Sequence, residues 1–235
     1  MPANAIRANS LYTIVAGPSW TQAEANAVGL GGHLVTIDSR SEDDFVQSKF
    51  GGQVPLTNGR NWGYWIGLYR EPSSSGYSWN DWKWISGDFV NYRNDYFRPG
   101  ASGYEPNGGY SDSPYGMVWG NQQYPGSVPA WNDENYGPQV GVTEIPFNLS
   151  ITRSSNPKES AGNFTTSINL SAGTQSSLTD GVTVYWRVSG ITADDLDGGS
   201  LTGSGNISGG KLDIQHSLKK DADQGEKFEV SVFSD

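Results

Sequence analysis

The chain has 235 residues, no cysteine, 31 glycines, 12 prolines, nine tryptophans, twelve tyrosines and a formal charge of −10. Without cysteine it has neither disulfides nor thiolate metal sites, and so many large rings exclude a disordered chain. Residues 1–146 hold 8 Lys and Arg against 14 Asp and Glu, and residues 147–235 hold 7 against 11, so neither part offers a basic footprint to nucleic acid or an anionic membrane.

The first predicted element is a strand, LYTIV at 11–15. Ser19 and Gln22 then stand at capping-box spacing, so a helix is predicted from Trp20. Trp20, Ala23 and Ala27 repeat on one of its faces, and Gly29 and Gly31 can end it by taking positive φ. HLVTI at 33–37 reads as a short strand. Ser39 and Glu42 repeat the capping spacing, predicting a second helix over EDDFVQSKF. Its acids Glu42, Asp43 and Asp44 read as a solvated start at the positive end of the dipole. YWIGLY (64–69) and DWKWI (81–85) are rich in strand formers. Residues 90–130 read as one long irregular loop, a length usually tied to function. VGVTEIP (140–146) closes this part as a strand.

Eight of the nine tryptophans precede residue 146, and the chain then turns rich in Ser, Thr and Gly. This shift predicts two domains, 1–146 and 147–235, with the boundary at Pro146–Asn148. FNLSITR, NFTTSINLS, VTVYWRVS, KLDIQHSL and KFEVSVF alternate at period two, separated by turn signals such as Thr179-Asp180-Gly181. They predict an all-β sandwich with no helix. GNISGGK (205–211) fits a phosphate loop by letter, but Leu212 stands where Ser or Thr is needed. The strand alternation after it predicts a glycine-rich hairpin instead. His33 and His216 read as satisfied strand residues. No nucleophile–base pair is visible, so an enzyme is not expected.

The long loop carries Glu105-Pro106-Asn107, and Asn132-Asp133 follow Trp131. The order SWTQAEANAVGLGGHLVTI, SRSEDDF, WIGL at 65–68, DWKW, EPN and WND resembles a C-type lectin-like domain over residues 10–146. The resemblance implies an α+β fold with two helices and a long irregular loop. It departs from the family in lacking both usual disulfides. Ala27 and Tyr115 or Tyr136 stand near the expected cysteine positions, so aromatic packing is expected to substitute. The resemblance also implies a shared calcium ion, held by Glu105, Asn107, Asn132 and Asp133, that takes two neighbouring sugar hydroxyls. Oxygen ligands of this kind suit calcium. A cis Glu105–Pro106 bond would turn the Glu105 and Asn107 oxygens to one side. The Glu-Pro-Asn order implies mannose- or glucose-type equatorial hydroxyls. The family's remaining carboxylate would fall at Ser113, and the adjacent Asp112 is the candidate to replace it.

Residues 148–235 resemble a Calx-β-like repeat through the turn at 159–162, VYWRVSG (184–190), Asp194-Asp195, LTGSG (201–205) and DADQGEKFEVSVFSD. That resemblance implies a second calcium site, for which Glu159, Asp195, Asp221 and Glu226 are the candidate ligands. The expected function is calcium-assisted carbohydrate binding or adhesion. The expected partners are a glycan or cell-surface ligand, with no nucleic acid and no membrane insertion, and the chain would work in a multivalent assembly. The alternative is a virion structural protein, such as a phage fibre, knob or capsid decoration, contacting other virion or adhesin subunits. Either role places the chain outside the cell, at a cell surface or on a virion. No ordinary signal peptide is visible in the first residues, so release by another route or by lysis is expected.

Overall fold

The computed structural model describes residues 4–55, 62–71, 78–95, 97–99, 101, 104–106, 113–120, 130–157, 162–220 and 226–234. The chain divides into two compact units. One comprises Met1–Ala5 with Tyr12–Ile145, and the other Ile6–Leu11 with Pro146–Asp235.

In chain order the first elements are β1 (Ala5–Arg7), β2 (Ser10–Ala16), α1 (Trp20–Gly29), β3 (His33–Leu34) and α2 (Arg40–Phe50). Then follow β4 (Tyr64–Arg70), a 3-10 turn (Trp79–Asp81), β5 (Trp82–Trp84), β6 (Tyr115–Val118), β7 (Trp131–Glu134) and β8 (Val140–Arg153). Both helices start where the capping residues predict: the Ser19 and Ser39 side chains accept from the Gln22 and Glu42 backbone N–H groups. The reciprocal half of each box is absent. Gln22 donates along the helix to Asn26, and the Glu42 carboxylate accepts from the Asp38 N–H at 2.8 Å. The chain leaves α1 through Gly31, at φ +91°, a conformation that only glycine takes cheaply.

In the first unit the strand order is β2-β8-β4-β6-β7, with β3 on β8 and β5 on β4. Six of the seven β4 residues are buried, as expected of a central strand covered on both faces. Gly67 interrupts its side chains for a reason. A Cβ there would lie 2.5 Å from the Leu34 carbonyl oxygen, so Gly67→Ala is expected to cost roughly 1–3 kcal/mol of stability, measured by urea denaturation. The predicted irregular loop is corrected at residues 115–118. These residues form β6, which pairs with β4 on one side and β7 on the other. Pairing with two strands overrides the weak local signal of a segment containing Gly116.

Aromatic rings fill this unit. Trp65 and Trp131 are fully buried. The Trp20 and Tyr115 rings stack 4.8 Å apart at 8°. Trp20 Nε1 donates to the Ile66 carbonyl at 2.7 Å, and Trp65 Nε1 to the Gly17 carbonyl at 3.0 Å. The Glu24 carboxylate takes the Leu34 N–H and meets His33 Nδ1 at 2.6 Å. Aromatic packing thus braces α1 in a chain that has no sulfur bridge, and His33 is satisfied.

The second unit continues with β9 (Phe164–Ala172), β10 (Thr183–Ser189), β11 (Thr202–Asn206), β12 (Lys211–His216) and β13 (Glu229–Phe233). β9 pairs with the later residues of β8 and with β12, and β10 lies between β11 and β13. All of these pairings are antiparallel. An apolar cluster draws Phe164 from β9 and Val188 from β10, with Phe228, Trp186 and Leu218. Short 3-10 turns at Ser176–Thr179 and Ala193–Asp195 are its only helical turns among the described residues. The predicted glycine-rich hairpin turn is present, with Ser208 and Lys211 exchanging both backbone hydrogen bonds, but beyond that bridge β11 and β12 sit in different sheets. The chain crosses through Gly209 and Gly210, both at positive φ. His216 is corrected in part. It is a strand residue among Phe164, Trp186 and Phe228, but its Nε2 has no hydrogen-bond partner among the described residues. Burial lowers its pKa.

Candidate functional site

The best-built polar feature of the first unit lies under β7. Asp43, on the first turn of α2, is fully buried. Its Oδ1 accepts from Trp131 Nε1 at 3.1 Å. Its Oδ2 accepts from Asn94 Nδ2 and the Tyr92 hydroxyl, both at 2.9 Å. Only an ionised carboxylate can accept from three donors without offering one. Burial pushes the Asp43 carboxyl up to about 6, although the three donors pull it down. Burial and the Asp43 charge also raise the Tyr92 phenol well above its ordinary value, so it remains a donor. Helix α2, the arm at 92–94 and strand β7 therefore meet on one carboxylate.

Glu42 is buried beside it. The Tyr12 hydroxyl donates to Glu42 Oε1 at 2.6 Å and lies 3.3 Å from Glu144 Oε1. Burial pushes Glu42 up to about 7. A solvated helix start is therefore the wrong description of Glu42 and Asp43; it holds for Asp44, which pairs with Arg40 in solvent. The missed signal was periodicity. Asp43, Val46 and Phe50 are spaced three and four apart, on the face that α2 buries.

The predicted ligand residues fall as follows. Glu105 is half-buried and bridges Phe97, and its bond to Pro106 is cis. The Phe97 ring lies 6.3 Å from Trp131, so the arm bearing Glu105 and the strand bearing Asn132 are tied to one aromatic cluster. Asn132 and Asp133 lie in β7, opposite Met117 and Gly116. Asn132 is buried, and its Nδ2 donates to the Asp133 carbonyl at 3.0 Å. Its Oδ1 carries no hydrogen bond among the described residues, leaving a hard oxygen acceptor of the kind calcium takes. Asn107 and Asp112 lie outside the described residues, as do Glu159 and Asp221 in the second unit. Asp195 caps its own 3-10 turn, with Oδ2 accepting from the Thr192 N–H and hydroxyl. Glu226 is exposed. Among the described residues, no three His, Cys, Asp or Glu side chains gather as a metal cluster. A calcium ion held by Glu105, Asn132 and Asp133 fits the chemistry of their oxygens.

A family match falls within the first unit. The family model for the lectin C-type domain matches residues 17–134, half of the chain. The human C-type mannose receptor 2 is 34% identical over 80 residues, covering 32% of this chain and 5% of that protein. Human C-type lectin domain family 4 member D is 23% identical over 129 residues, covering 55% of this chain and 50% of its own length. The chain thus spans half the length or less of these curated relatives. Among solved structures, ovocleidin-17, a major protein of the Gallus gallus eggshell calcified layer, is 17% identical with a TM-score of 0.41, covering 61% of this chain and 96% of its own. Two capped helices, a Trp-braced α+β sheet and the family match over Gly17–Glu134 make this chain a member of the C-type lectin domain family.

Proposed function

We propose that the chain is a calcium-assisted carbohydrate-binding protein acting at a cell surface or outside the cell, and not an enzyme. Glu105, Asn107, Asn132 and Asp133 would hold the ion, with Asp112 as a further carboxylate. Calcium would supply coordination positions for two neighbouring sugar hydroxyls. Glu105 would then accept, and Asn107 donate, a hydrogen bond to the sugar, and the Glu-Pro-Asn order favours mannose- or glucose-type hydroxyls. The observation that carries this reading is the Asn132 amide. Its N–H is spent on the Asp133 carbonyl, and its oxygen is left as a hard acceptor. The lectin names of the family and of one human relative, and the mannose-receptor name of the other, point the same way. The second unit would be a Calx-β-like spacer or docking module, with a weaker cation site at Glu159, Asp195, Asp221 and Glu226. Affinity per site would be modest, so several copies would act together.

Titration calorimetry with calcium, then with methyl mannoside, tests this. Both heats are expected for the native chain, and Glu105→Ala is expected to abolish the calcium heat and the part of the sugar heat that depends on calcium. Calcium at 100 times its dissociation constant should stabilise the fold by about 2.7 kcal/mol, read as a higher melting temperature that EDTA removes. Calcium binding without sugar binding would instead favour the virion or adhesin scaffold, in which this domain contacts other subunits. Absence of any calcium effect would sink the proposal.

A further inference from the structure

A cavity of about 400 Å³ opens beside β5, with walls that include Trp79, Asn80, Lys83, Asp88, Phe89 and Arg93. None of the described candidate calcium ligands lines it. Its volume suits a small ligand. Phe89 stands at its edge with 87% of its surface exposed, leaving a large apolar face in water. The Arg93 guanidinium carbon lies 4.5 Å from the centre of the Trp79 ring. Its Nη1 donates to the Val90 and Tyr92 carbonyls. Nε and Nη2 remain as donors, and among the described residues Arg93 forms no ion pair. Lys83 is held by Glu71 at 2.8 Å. Asp88 uses its backbone N–H on Ser86, and its carboxylate has no partner among the described residues.

This wall combines a bare aromatic face with hydrogen-bond donors (Arg93, Asn80) and acceptors (Asp88, Asn80). An anionic ligand would meet the Asp88 carboxylate and a chain of charge −10. A purely apolar ligand would strand the polar groups. A sugar ring matches both requirements. Its C–H face suits the negative face of an aromatic ring, and each hydroxyl both donates and accepts. We propose that this cavity is a second saccharide subsite, taking one pyranose ring of a neutral sugar on Phe89 with hydrogen bonds to Asn80, Asp88 and Arg93, and needing no divalent ion. The ligand class rests on the carbohydrate function proposed above; the location and the independence from metal do not.

Saturation-transfer NMR on the whole chain, with mannotriose and cellotriose as probes in excess EDTA, tests it. Transfer to ring protons is expected to persist in EDTA, to fall at least fivefold in both Phe89→Ala and Asp88→Ala, and to be unchanged in Glu105→Ala. Both cavity residues are exposed, so their variants should keep the native melting temperature. No transfer to either sugar in EDTA, or transfer unaffected by the two cavity variants, overturns the subsite. The calcium site stands or falls separately, on the sugar binding that EDTA and Glu105→Ala remove.

Discussion

Asp43→Ala is expected to lower the unfolding free energy by roughly 3 kcal/mol at pH 7. The variant leaves three donors, on the buried Trp131 and Asn94 and the half-buried Tyr92, without an acceptor, at about 1–3 kcal/mol for each buried one. Removing the buried charge gives some of this back. A carboxyl held at about 6 instead of 3.8 carries roughly 3 kcal/mol of penalty at neutral pH, and the balance remains unfavourable. The damage should also be local. Trp131 precedes Asn132 and Asp133 directly, so its near-ultraviolet circular dichroism should weaken even below the unfolding transition. Urea denaturation at pH 7 checks the first effect. A variant as stable as the native chain would mean that the carboxylate is not the tie between α2 and β7.

Stability is expected to fall as pH rises from about 4.5 to 8. The Glu42 carboxyl is pushed up to about 7 in the folded chain from an ordinary 4.5, and Asp43 up to about 6 from 3.8. Both are raised chiefly by burial. Between the unfolded and folded values the native chain binds more protons than the unfolded one, so raising the pH favours unfolding. Each group contributes about 3 kcal/mol across its window at 1.36 kcal/mol per pH unit. Glu42→Gln should flatten the upper part of this slope and stabilise the chain at pH 8. The glutamine oxygen can accept from the Asp38 N–H, and its amide can donate to the Tyr12 hydroxyl, which is then free to turn to Glu144. Thermal melts from pH 5 to 8.5 check this. A native curve that rises with pH would contradict the burial of these carboxyls.

Local chemistry made much of the fold legible. Ser19 and Ser39 marked both helix starts because a hydroxyl before an amphipathic run has one good use, the free N–H groups of the first turn. WIGL at 65–68 marked a strand because its side chains need cover on both faces, and WKW at 82–84 because two tryptophans alternate with an exposed lysine. What stayed hidden depended on contacts distant in sequence. Strand β6 exists because β4 and β7 flank it, and nothing within Tyr115–Val118 announces two partners. The Asp43 tie spans 88 residues to Trp131. An acid at a helix start looks solvated unless its spacing to Val46 and Phe50 is weighed against the dipole. The candidate ligands Glu105, Asn132 and Asp133 were visible as a pattern, but a pattern gives oxygen types and not their separations. The Phe89 cavity left no trace in sequence, because its wall comes from side chains whose exposure only the folded backbone decides.

The brace on α1 is a ring lying on a ring and two indole N–H bonds, not a bond between sulfurs. Its hold is therefore an equilibrium, set by temperature and solvent and indifferent to thiols. The domain can be made, melted and remade in a reducing compartment with no oxidant to form a link and no isomerase to correct a wrong one.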